Sequence, residues 1–249
     1  MKFVSALLIL AAALSVTAQS RRVAPQNNVK GGGEIVELTV KQMFDEANAY
    51  NKTKFAEYEK NKVPYSEALR LQTEREKKQL AAKYAAAASG RTGLSGEDFY
   101  YLGFLHWIAE NFDGTTANLL KFTSQDGTLP EKAQTARSII AVVFAKQKKP
   151  DDAEKVLAEY LAKQPQKLTE RTRVEGEIAK AYQSEKNFVK MAPHAAASYN
   201  APKAVAEDPS SRTRGLDELL DTGMLTFEAY RDQGKMPEAE AALTDMQAF

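Results

Sequence analysis

The two histidines, His106 and His194, are the side chains of this chain best suited to proton transfer or metal binding near neutral pH. They stand far apart in sequence, and neither belongs to a metal-ligand spacing such as HExxH. His106, in FLHWIAEN beside Trp107, reads as an imidazole packed on a helix face, and His194 reads as structural in the same way. Three acidic pairs have the residue types of an acid and base couple: Glu97 with Asp98, Asp151 with Asp152, and Glu218 with Asp221. The first two fall in predicted first turns of helices, where carboxylates complement the helix dipole. The third reads as solvated helix surface.

Cysteine is absent, which removes thiol nucleophiles, cysteine-based zinc sites, CxxC exchange and any disulfide framework from these 249 residues. No GxSxG or GxGxxG occurs. The glycines at 31–33 follow no buried strand and precede no GK[ST], so they do not form a phosphate cradle. The sequon NKT at Asn51 falls inside a predicted helix and receives no role. The cations of KQKK, Lys146–Lys149, suit the C-terminus of a helix. No catalytic, cofactor-binding or metal-binding residue is assigned, no cofactor is expected, and the chain itself is read as not an enzyme. Lys plus Arg number 34 against 33 Asp plus Glu, and no long single-sign run exists to bind nucleic acid. A hydrophobic fraction of 43% is enough to bury a core.

The elements that carry these residues begin with a start of another kind. Lys2, an apolar run from Phe3 to Leu14 and small residues at Val16 and Ala18 predict a signal peptide, 1–18, cleaved after Ala18. The run is shorter than the roughly 20 residues that cross a bilayer, so no stable membrane anchor is expected after signal removal. The expected location is across the inner membrane, in the periplasm. Residues 19–38, with Pro25 and the three glycines, read as a flexible linker.

Residues 39–90 predict a long helical hairpin. Thr39 caps a helix that places Val40, Met43, Phe44, Ala47, Phe55 and Tyr58 on one face. A second helix starts near Ser66, runs through Leu69, Leu71, Leu80 and Tyr84, and closes at Gly90. Ser95 with Asp98 predicts a capping box that opens the next block, 91–249. There, short helices alternate with turn signals such as NFDGT, QKKPDD and RDQGKMPE, and no strand-like run intervenes. The expectation is an all-α chain of at least eight helices.

Within that block Ala141, Phe144, Ala153 and Leu157, followed by Pro165, share their spacing with Phe227, Tyr230, Ala239 and Leu243. Ala179, Tyr182, Met191 and Ala195 form a weaker copy, and Phe104, Trp107, Thr116 and Leu120 a weaker one still, so copies recur at about 37, 38 and 48 residues. The pattern resembles a tetratricopeptide repeat, stretched beyond the family's usual length, and implies antiparallel helical hairpins stacked as a tetratricopeptide-like solenoid. In that phase Arg173, Lys180, Gln183, Glu228 and Arg231 line the concave groove, or are simply solvated surface.

The stretches FDEANAYNKTKFAEYE, FYYLGFLHWIAENFDGTTANL and GLDELLDTGMLTFEAYRDQGK look like the helical N-terminal region of bacterial TlpA-type thioredoxin-like proteins. That resemblance implies a scaffold ahead of a WCxxC domain, which these residues do not contain. The expected function is an exported, non-catalytic module that binds protein or peptide, including a redox partner or substrate, as the front part of such a redoxin. The alternative is a stand-alone periplasmic scaffold. The last helix carries Ala239, Ala242, Leu243 and Met246 with no closing glycine or cation, so the repeats are expected to continue beyond Phe249.

Overall fold

A computed structural model describes residues 37–207 and 212–248; the signal peptide and nearly all of the linker lie outside these residues. The described residues form ten helices and no strand: α1 Val40–Lys60, α2 Glu67–Ser89, α3 Glu97–Ile108, α4 Phe112–Thr123, α5 Pro130–Lys146, α6 Pro150–Leu161, α7 Leu168–Ser184, α8 Phe188–Glu207, α9 Arg212–Arg231 and α10 Met236–Gln247. The protein is all-α.

Local chemistry sets most of the helix starts. Thr39 caps α1 through a full capping box with Gln42, and the Ser66 hydroxyl accepts from the amide of Leu69 at the head of α2. Pro130 and Pro150 open α5 and α6, where a missing N–H costs nothing. The expected cap at Ser95 is corrected by one residue. Gly96 is the cap of α3, at φ 52°, a left-handed conformation that serine would enter only with strain. Asp98 still accepts from the Ser95 amide, so half of the box survives.

The turn that ends each odd-numbered helix is the same in all five hairpins. Lys62, Glu110, Lys148, Lys186 and Gly234 all have φ between 54° and 74°. In each turn the next amide reaches back to a carbonyl near the helix end: Val63 to Tyr58, Asn111 to His106, Lys149 to Phe144, Asn187 to Tyr182 and Lys235 to Tyr230. This is the Schellman closure, which satisfies carbonyls that the helix leaves orphaned.

The common turn also fixes the register of the repeat. His106, Phe144, Tyr182 and Tyr230 are equivalent, at intervals of 38, 38 and 48 residues. The first copy is therefore Gly103, His106, Thr115 and Leu119, one residue earlier than the sequence spacing of Phe104, Trp107, Thr116 and Leu120 predicts. Packing confirms the shift: Thr115 and Leu119 are fully buried, whereas Leu120 is 46% exposed. The reason is Gly103, where a Cβ would lie 2.5 Å from Leu119 Cδ2; without it α4 settles close against α3.

The buried side chains of the described residues gather in four clusters along the chain. Val40, Met43 and Ala47 of α1 meet Ala81, Ala85 and Ala88 of α2 and Leu102 and Leu105 of α3. The contact face of α2 is thus its alanines, and Leu71 points to solvent. Ala141, Ala153, Leu157, Ala179, Tyr182, Met191 and Ala195 belong to the largest cluster. Each large side chain buried there contributes about 1.5–3 kcal/mol. Neighbouring helices pack together, as do the first helices α1 with α3 and α5 with α7; α7 touches α9 only lightly, and the second helices of successive pairs make no extended contact with one another. α5 is buried on almost every side, Ala136 and Ile139 through Val143 included.

Candidate functional site

α7 and α9 touch only lightly, and between them lies a groove of about 370 Å³ lined by Thr169, Thr172, Arg173, Gly176, Glu177, Lys180, Asp221, Thr222 and Leu225. Helical spacing on α7 puts Arg173, Gly176, Glu177 and Lys180 on one face. The Cβ position of Gly176 faces α8, where a methyl group would lie 3.7 Å from Ser198, an ordinary van der Waals distance. Glu177 stands between two cations, Lys146 of α5 at 3.0 Å and Lys180 at 3.4 Å. Arg173 donates to Ser138 of α5 at 3.3 Å.

Of the five residues read from sequence as groove lining, Arg173 and Lys180 line this space. Gln183 and Glu228 lie one turn farther along α7 and α9 and bond to each other across the helices. Arg231 stands apart. It pairs with Asp232 at 2.6 Å and lies over the Phe227 ring at 5.5 Å, because the two local partners draw the guanidinium back along its own helix. Sequence spacing did not bring in Asp221 and Thr222, which precede the repeat's marked positions on α9.

The two histidines occupy different contacts. His106 packs over Gly114, where a Cβ would come within 2.6 Å of the imidazole, and its Nε2 lies 3.5 Å from Ser89 Oγ. Burial pushes its pKa below the ordinary 6.5. The structure thus places His106 as a packed ring at the repeat's aromatic position.

His194, on α8, is held between two carboxylates: Nδ1 is 2.6 Å from Glu175 of α7, and Nε2 is 3.0 Å from Glu154 of α6. Burial alone would lower its pKa, but the two hydrogen bonds outweigh that and hold it above 6.5. A ring that faces carboxylates at both nitrogens is favoured as the imidazolium, since only that form donates from both. The ring stacks on Tyr182, with centroids 6.0 Å apart. The Tyr182 hydroxyl donates to Asp151 at 2.8 Å, and Lys190 pairs with the same carboxylate at 2.7 Å. Lys190 and Tyr182 together hold the Asp151 pKa down. Arg171 meets Glu175 at 3.3 Å. With both ring nitrogens engaged, His194 has no free lone pair for a ligand or substrate. Sequence reading missed this clamp because its acids lie 19 and 40 positions away.

Among the described residues no group of three or more His, Asp or Glu is arranged to hold a metal ion, and no helix is long and apolar enough to cross a membrane. The acidic pairs are distributed rather than convergent: Glu97 pairs with Lys132 at 2.6 Å, and Asp152 with Lys155 at 2.8 Å. Asp221 lies in the α7–α9 groove.

No family model matches the chain, and no curated protein matches it. A solved structure similar to it is the crystal structure of BtubC (BKLC) from P. vanneervenii, at 12% identity. That alignment covers 85% of this chain and 91% of the other, with a TM-score of 0.49.

Proposed function

We propose that the chain is a tetratricopeptide-like binding module whose α7–α9 groove takes a polar or charged segment of a protein partner. The observation that carries the reading is the light contact of α7 with α9, which leaves Arg173, Glu177, Lys180 and Asp221 around one groove. Cations and carboxylates at the rim give orientation and selectivity, and the apolar edge of Leu225 gives a dry contact. The module works by holding its partner. These 249 residues contain no cysteine, so they supply no thiol of their own to the interaction.

Peptide display selection against the 37–249 surface, followed by fluorescence anisotropy, tests the reading. Peptides selected on the wild-type chain should bind the Arg173→Glu/Lys180→Glu variant at least about tenfold more weakly, a change of about 1.4 kcal/mol. Selected peptides that bind the double variant equally well place the site elsewhere.

A further inference from the structure

The side of the molecule formed by the second helices carries a different feature. Between α4 and α6 lies an open cleft of about 510 Å³, and Arg137 of α5 forms part of its lining. Arg137 is only 8% exposed, yet no carboxylate of the described residues lies within ion-pairing distance. Its one hydrogen-bond partner among the described residues is neutral: Nη1 donates to Gln134 Oε1 at 3.0 Å. Gln134, 1% exposed, is itself fixed, because its amide donates to the carbonyls of Tyr160 and Lys163, both at 2.9 Å. No carbonyl at the end of α4 or α6 accepts from the guanidinium. Lys121 and Lys163 also line the cleft, and Glu159 is its one carboxylate, so three cations face one acid.

A charge taken this far out of water needs a counter-charge, and an arginine fork aimed by a buried amide is already organised to receive one. We infer that the Arg137 cleft is a binding site for a dianionic tetrahedral oxyanion, inorganic phosphate or the phosphate of a phosphomonoester. Arg137 supplies the bidentate contact, Lys121 and Lys163 neutralise the remaining charge at the rim, and Glu159 opposes binding. The site is separate from the α7–α9 groove and stands whether or not that groove binds peptide.

Titration calorimetry of the full chain with inorganic phosphate and, in a second arm, with free phosphoserine tests the assignment against sodium chloride of matched ionic strength. At least one of the two should bind saturably, and the arm that binds identifies the source. Arg137→Gln should weaken binding about tenfold or more, and Lys121→Gln or Lys163→Gln about threefold each. Glu159→Gln should tighten it about twofold. If Arg137→Gln does not fold, the exposed variants decide, since a site elsewhere moves with none of them. Absence of saturable binding of either probe up to about 20 mM, or equal binding by the folded Arg137→Gln protein, overturns the inference.

Discussion

The α3–α4 contact and the α6–α7–α8 contact each enclose a histidine, and the two enclose it for opposite reasons. His106 fills a space shaped by Gly114 and has no charged partner among the described residues. His194 lies between Glu154 and Glu175, and its contact is held by charge. The lesson is that burial does not settle a histidine's role. A dry neighbour turns the ring into an aromatic spacer, while paired carboxylates turn it into a cation that ties three helices together.

The largest expected effect comes from breaking the charged contact. Glu175→Ala leaves His194 and Arg171 facing a lost carboxylate whose side chain is only 5% exposed, and should cost about 3 kcal/mol in urea denaturation near pH 6. A loss under about 0.5 kcal/mol would show that the clamp is idle. The shape contact should answer less strongly. At Gly114→Ala the new methyl group overlaps the His106 ring, and an overpacking cost of about 1–3 kcal/mol exceeds the roughly 1 kcal/mol gained in helix propensity. The double variant with His106→Ala should recover part of that loss; strict additivity would place the strain elsewhere.

The finest test is one of sign. His194 has its pKa raised on folding, so its stabilisation is fully present below the unfolded value near 6.5 and disappears as pH rises through the folded value. His106 has its pKa lowered, so its cost appears as pH falls below 6.5, where the unfolded chain takes up a proton that the folded chain refuses. Denaturation from pH 5 to 8 should therefore show His194→Gln and His106→Gln changing the stability profile in opposite directions. The same direction for both would mean that the two contacts are not different in kind.

Much of the fold was legible because its signals are local. Thr39, Ser66, Gly90 and the prolines at 150 and 237 act within a turn of where they stand, and they mark helix ends in the structure as they do in the sequence. The first repeat was misread by one residue because Phe104 and Trp107 look more like packing residues than Gly103 and His106 do. What packs there is the absence of a side chain, which apolar spacing does not register. The groove was half legible: phase put Arg173 and Lys180 together, but Arg231 was lost to Asp232 beside it. The His194 clamp and the Arg137 cleft were not legible, since each joins residues whose helices meet only through the tertiary arrangement.

The five equivalent turns have a consequence for how far the protein stands below the stability its own backbone allows. Only the last turn carries glycine at its left-handed position; the other four carry Lys62, Glu110, Lys148 and Lys186. Each of those four pays about 1–2 kcal/mol of steric strain, against the roughly 0.5–1 kcal/mol of extra chain freedom that glycine must give up. Lys148→Gly and Lys186→Gly should each raise the denaturation free energy by about 0.5–1 kcal/mol, whereas Glu110→Gly gains less because it also loses the pair with Lys78. Selection has tolerated that strain turn after turn, leaving a reserve of stability that a few single substitutions can release.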